Sequence, residues 1–176
     1  QPNLRARDAA ARLGLSEAEL VAAELGVTSQ ALRPDWKALL GGLQSVGEVL
    51  AITRNDHVVH EKKGVYQAVS VRGNMGLVVG PDIDLRLFLT DWRWLYEVTD
   101  TSNPAKPRRS LQCFDRYGQA VHKVYQTDRT DPSAWQALVD GLVDLGAGIR
   151  LPVELRPAAR RGRQCVAACT NCGRCK

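Results

Sequence analysis

The sequence predicts an α+β domain in which short N-terminal helices and one C-terminal helix pack on a large antiparallel sheet. Helical periodicity is confined to residues 6–44 and 131–145, and between them short apolar or alternating segments follow one another over 47–126. Because no helical segment separates these strands, the sheet is expected to be antiparallel. The chain has 176 residues, enough for a single core that buries roughly 70% of the unfolded surface.

The helices are predicted from capping signals and from apolar side chains at helical spacing. Ser16, with Glu19 three positions later, forms a capping box, so a helix over 17–25 is expected to follow a shorter helix over 7–13. Proline residues open the two remaining helices, which are predicted over 35–44 and 131–145. Each of these two helices carries a tryptophan and several leucines on one face.

Eight strands are predicted between the third and fourth helices. They are separated by residues that favour turns, such as Gly73-Asn74 and Gly80-Pro81-Asp82. The predicted strands span residues 47–53, 57–61, 65–71, 75–79, 83–89, 94–98, 109–115 and 120–126.

The residues after the predicted domain, 151–176, differ from the rest in charge and cysteine content. The chain has a net charge of +5, but six basic and no acidic residues lie after position 155, which leaves residues 1–155 at −1. Four closely spaced cysteines could hold a zinc ion or an iron–sulfur cluster: Cys165, Cys169, Cys172 and Cys175. The composition is also typical of a GC-rich gene translated out of frame, so an aberrant, unstructured tail is the favoured prediction and the metal site is the alternative.

One predicted strand carries a charged residue that needs an explanation. Apolar and polar residues alternate over 83–89, which places Asp84 and Arg86 on the same face. An unpaired buried guanidinium is costly, so Arg86 should either face solvent or meet an anionic partner. An ion pair across neighbouring strands and a site for an anionic ligand are the two interpretations.

An ordered series of motifs resembles the first repeat of bacterial haemin-degrading and haem-trafficking proteins, the HemS/ChuX type. The resemblance covers about residues 4–145, including the N-terminal helices. The segments that carry it are Gly47-Glu48-Val49, Ile52-Thr53-Arg54-Asn55, Val59-His60-Glu61-Lys62, Gly76-Leu77-Val78-Val79, Asp84-Leu85-Arg86-Leu87-Phe88, Ser110-Leu111-Gln112-Cys113-Phe114-Asp115 and Val121-His122-Lys123-Val124-Tyr125.

The resemblance implies a fold that occurs twice in one chain and holds a b-type haem between the sheet of one half and helices of the other. Arg86 matches the arginine that reaches the distal face of the haem, where it would hold an oxygen ligand at the iron by hydrogen bonding. The proximal histidine belongs to a helix of the second half. Within this half, His60 is the candidate substitute ligand, with a strand histidine facing water as the alternative. His122 is expected to be packed or at the surface.

The function implied by this resemblance is haem binding and cytoplasmic haem trafficking for iron acquisition. A haem-uptake transporter and a haem oxygenase are the implied partners. We expect either a homodimer or a second repeat to complete the pocket, with the fragment of a longer protein preferred. A haem-degrading, oxygenase-like enzyme is the alternative, and a non-functional truncated half is a third possibility.

Two other classes of function are disfavoured by the sequence. No segment is apolar enough for membrane insertion, and residues 1–5 lack the pattern of a signal peptide, so we expect a cytoplasmic protein with reduced thiols. Residues 6–25 resemble a helix-turn-helix, but the helix that would contact DNA is acidic, whereas a phosphate-contacting surface should be basic. We therefore predict no nucleic-acid partner.

Overall fold

The computed structural model describes residues 6–55, 58–144, 146 and 152–154, and four helices and nine strands lie in these ranges. The helices are α1 (Ala6–Leu13), α2 (Glu17–Ala22), α3 (Trp36–Gly42) and α4 (Pro132–Leu142). The strands are β1 (Ser29–Leu32), β2 (Gly47–Arg54), β3 (Val59–Val65), β4 (Ser70–Arg72), β5 (Met75–Val78), β6 (Leu85–Phe88), β7 (Trp92–Asp100), β8 (Arg108–Asp115) and β9 (Ala120–Thr130).

The strands form two antiparallel sheets rather than the single sheet that the sequence suggests. Six strands make the large sheet in the order β1-β7-β8-β9-β2-β3, and the remaining three make a small sheet in the order β4-β5-β6. The α+β class and the large antiparallel sheet are confirmed. Strand β1 was not predicted, and the strand predicted over 65–71 is divided between the end of β3 and the start of β4.

Capping side chains fix the starts of three helices. The Ser16 hydroxyl accepts a hydrogen bond from the Glu19 backbone N–H at 3.2 Å, and the Glu19 carboxylate accepts one from the Ser16 N–H at 2.8 Å, which confirms the predicted capping box. Asp35 and Asp131 accept from backbone N–H groups in the first turns of α3 and α4. The α2 helix ends at Ala22, earlier than predicted, because the chain turns through Gly26, at φ +78°, into β1.

The main core lies between one face of the large sheet and a layer made of α3, α4 and the small sheet. Its fully buried side chains come from all of these elements and include Leu39, Leu40, Val49, Leu87, Leu111, Val124, Trp135 and Val139. A smaller core under α2 covers the opposite face of the large sheet, with Ala18, Ala22, Tyr96 and Phe114. The small sheet therefore has one face packed on the domain. In the described ranges, no helix is long and apolar enough to cross a membrane.

Candidate functional site

The small sheet presents an outer face whose side chains are opposite to those packed in the core. Cross-strand pairing puts Arg72 beside Met75 and Met75 beside Phe88 in one row, and Leu77 beside Arg86 in the next. Side chains of directly paired residues lie on the same side of a sheet. We call these five residues the outer face.

Glycine and leucine residues on the inner side hold the small sheet against the domain. Gly76 and Leu87 are paired and buried, and a Cβ atom at Gly76 would lie 2.9 Å from Leu40 Cδ1 of α3. Only glycine fits that contact without displacing Leu40. The turn Gly73-Asn74, with Gly73 at φ +54°, closes the β4–β5 hairpin and sets its register. The outer face is therefore positioned by tight packing beneath it.

The outer face is apolar at its centre yet open to solvent. Phe88 is 68% exposed, Met75 is 48% exposed and Leu77 is half-buried. Large apolar side chains exposed next to one another usually mark a binding surface.

Arg86 lies among these apolar side chains without a partner in the described part of the chain. It is exposed, its cross-strand neighbour is Leu77, and neither a hydrogen bond nor an ion pair joins it to a described residue. Asp84, predicted to share its strand, lies just before β6 and is exposed. The ion pair across strands is thus not formed in the described ranges, and the guanidinium is free to meet a ligand.

His60 lies in the other sheet. It is an exposed residue of β3, an edge strand of the large sheet, and its cross-strand neighbour is Thr53. His60 and Arg86 therefore do not belong to one sheet face.

His122 is a buried structural residue, as the packed interpretation predicted. Its ring nitrogens are 3.0 Å from Thr53 Oγ1 and 2.7 Å from Tyr66 Oη, and its ring stacks on Trp92 with centroids 5.8 Å apart. Burial lowers the pKa of His122 from 6.5 to about 4. The imidazole is therefore neutral near pH 7, with one nitrogen donating and the other accepting, and both nitrogens are engaged.

The predicted cysteine site, Cys165, Cys169, Cys172 and Cys175, lies outside the described residues. Within the described ranges, no cluster of histidine, cysteine and acidic side chains could hold a metal ion. Cys113, the cysteine of the described domain, is fully buried.

Of the outer face, the sequence points to Arg86 as a candidate but not to Arg72, Met75, Leu77 or Phe88. Alternation along 83–89 places Phe88 on the side of Arg86, so this residue could have been found from the sequence. Arg72 and Met75 flank the Gly73-Asn74 turn, which is a hairpin signal. Their position on the same face as Arg86 depends on the pairing of β5 with β6. That pairing cannot be predicted from the sequence of one strand.

Comparison with known proteins identifies the family. The model of the Haemin-degrading HemS.ChuX domain matches residues 14–142. The Hemin transport protein HmuS of Yersinia pestis is 46% identical over 139 residues, which are 78% of this chain and 40% of that protein. This chain thus spans less than half the length of that relative.

Solved structures agree with this assignment. Holo-PhuS, a heme-binding protein from Pseudomonas aeruginosa, matches with a TM-score of 0.85 and 47% identity, over 90% of this chain and 46% of that one. ChuS, an E. coli heme oxygenase, matches with a TM-score of 0.77 and 35% identity, over 86% of this chain and 46% of that one. The chain belongs to the haemin-degrading HemS/ChuX family.

Proposed function

We propose that this chain binds haem on the outer face of the small sheet and serves haem trafficking in the cytoplasm for iron acquisition. The observation that carries the proposal is the exposed Arg86 guanidinium, which is unpaired in the described ranges and lies beside the apolar side chains of Leu77 and Phe88. A flat apolar ring that carries an oxygen ligand at its centre can pack against these apolar side chains and meet the guanidinium. The names of the relatives HmuS and PhuS, a hemin transport protein and a heme-binding protein, support the same ligand.

Four of the five residues of the outer face have a distinct part in this binding. Phe88, Met75 and Leu77 would cover the porphyrin through non-covalent apolar contact, as for a b-type haem. Arg86 would donate hydrogen bonds to an oxygen ligand at the iron, the position that the family resemblance gives it. The haem is cargo here, and the protein holds and orients it.

The pocket needs a second wall, because the outer face is open. The chain spans 40% of HmuS and 46% of PhuS, so a second half of a longer protein is the first candidate for that wall. A second copy of this chain is the alternative. In either arrangement, the opposite element would supply the proximal histidine. A haem-uptake transporter and a haem oxygenase are the proposed partners for delivery and removal of the haem.

Two further sites are proposed, one on β3 and one in the C-terminal residues. His60 is exposed on a strand edge, so it could bind a second haem without competing for the outer face. The four tail cysteines remain candidates for a zinc or iron–sulfur site, which metal analysis of the purified chain tests.

Haemin titration of the wild-type chain, Arg86→Ala, His60→Ala and the control Arg129→Ala tests the proposal. The Arg129 side chain is 81% exposed and lies near the end of β9 in the large sheet. Its substitution therefore removes the same charge at a position outside the outer face. We expect saturable binding by the wild type, about 10-fold weaker binding and an altered Soret band for Arg86→Ala, and no change for Arg129→Ala.

Absence of saturable wild-type binding overturns the proposed function. Equal behaviour of Arg86→Ala and Arg129→Ala removes the outer face as its site. An altered spectrum for His60→Ala alone assigns the binding to β3.

Haem degradation is the second candidate function, favoured by the description of ChuS as a heme oxygenase and of the family domain as haemin-degrading. The same complexes separate the two functions when they receive ascorbate and oxygen, with catalase present to remove free peroxide. A carrier keeps its bound haem spectrum, whereas a degrading enzyme loses it and releases iron. Reducing equivalents must come from outside, as the chain has no flavin or nicotinamide motif.

A further inference from the structure

The outer face carries a second guanidinium, that of Arg72, which has no part in the function described so far. Arg72 is exposed on β4 and pairs with Met75, whose other neighbour is Phe88. In the described part of the chain, no hydrogen bond or ion pair engages its side chain. An unpaired arginine at the corner of an apolar surface is a recognition group for an anion.

The two arginines lie at diagonal corners of the face. Arg72 is on one outer strand of the small sheet and Arg86 is on the other, separated by two strand spacings and by two residues along the strands. This geometry places their Cα atoms about 12 Å apart. Met75 and Leu77 of the central strand lie between them. Two arginine side chains with this separation can reach the centre and the rim of one porphyrin.

Charge also differs between the two ends of the face. Asp84 lies just before β6, two residues before Arg86, so the end away from Arg72 carries a negative charge. The row that contains Arg72 continues with Met75 and Phe88, which are both apolar. A ligand that has its carboxylates on one edge would turn that edge away from Asp84 and toward Arg72.

We propose that Arg72 pairs with a propionate of the bound haem and so sets the orientation of the porphyrin over Arg86. This inference rests on the proposed haem-binding function. A guanidinium and a carboxylate form two parallel N–H···O hydrogen bonds, which specify direction as well as adding affinity. Apolar contacts with Phe88 and Met75 alone would leave the porphyrin free to rotate in its own plane. A propionate paired with Arg72 would fix one in-plane orientation.

The experiment compares haemin with haemin dimethyl ester, in which both carboxylates are blocked, in the same dilute detergent. Wild type, Arg72→Ala, Arg86→Ala and the control Arg129→Ala are titrated with each ligand. We expect Arg72→Ala to weaken haemin binding by roughly 10-fold to 100-fold and to leave the binding of the ester unchanged. Arg86→Ala, which acts at the centre of the ring, should weaken both ligands, and Arg129→Ala neither. Circular dichroism checks that the variants keep the fold, as expected for exposed positions.

The outcomes separate this inference from the function on which it rests. If the wild type binds neither ligand, the proposed function is wrong and the role of Arg72 is wrong with it. If the wild type binds haemin but Arg72→Ala binds it equally well, the function stands and the propionate assignment is overturned. The assignment is also overturned if Arg72→Ala weakens haemin and the ester by the same factor, because the lost interaction then does not involve a carboxylate.

Discussion

Replacing Trp135 with alanine is expected to lower the free energy of unfolding by about 4 kcal/mol. Trp135 is fully buried in the main core, where it joins α4 to the large sheet. Its Nε1–H donates a hydrogen bond to Glu97 Oε1 at 2.8 Å, and Glu97 is itself buried and ion-paired with Arg109. The alanine variant would lose apolar contact, leave a cavity and remove one of the donors to a buried carboxylate.

Trp135→Phe is the matched control, since it keeps most of the ring volume and removes the N–H donor. We expect this variant to lose roughly 1–3 kcal/mol, mainly from the missing hydrogen bond to Glu97. Urea unfolding followed by fluorescence and circular dichroism gives both values. A loss below about 1 kcal/mol for Trp135→Ala contradicts the described packing of α4.

Acid is expected to destabilise the domain through His122. Its pKa is about 4 in the folded protein, because the ring is buried, and 6.5 in the unfolded chain. As pH falls below 6.5 the unfolded state takes up a proton that the folded state does not, so the contribution of His122 to stability is complete above pH 6.5. It is lost progressively down to pH 4. At pH 5 this loss is about 2 kcal/mol.

Unfolding in urea at pH 7.5 and pH 5.0 measures this effect as a difference between variants. His122→Gln removes the titrating ring, so its stability should fall less between the two pH values than that of the wild type. His60→Ala is the matched control, because it removes an exposed histidine of the same sheet and leaves the buried His122 in place. If His122→Gln and the wild type lose the same stability on acidification, His122 does not titrate as described.

The helices and most strands could be predicted from the sequence because their signals are local. Capping residues such as Ser16 and Asp131 determine where a helix begins, whatever it packs against. Strand β1 was missed because Ser29–Leu32 is short and has no clear alternation, and pairing with distant β7 makes it a strand. The separation into two sheets was missed for a similar reason: which strands pair is decided by packing and not by any one strand.

Prediction of the candidate site from the sequence is limited in the same way. Arg86 was accessible to prediction because alternation within its own strand places it on a defined face. The outer face as a whole required three strands in register, and Arg72 joins it only through Met75. His122 could be assigned a packed role in general terms, but its hydrogen bonds to Thr53 and Tyr66 depend on contacts between segments far apart in sequence.

The most direct test of haem binding on the outer face uses Met75, the single methionine of the sequence, which is 48% exposed on that face. Protein labelled with ¹³C-methyl methionine gives one resonance for this residue, and Met75→Leu assigns it. We predict that one equivalent of paramagnetic haemin broadens this resonance strongly, while diamagnetic gallium protoporphyrin shifts it through the porphyrin ring current without that broadening. Saturable haemin binding that leaves the Met75 resonance unchanged would place the haem elsewhere and contradict this account.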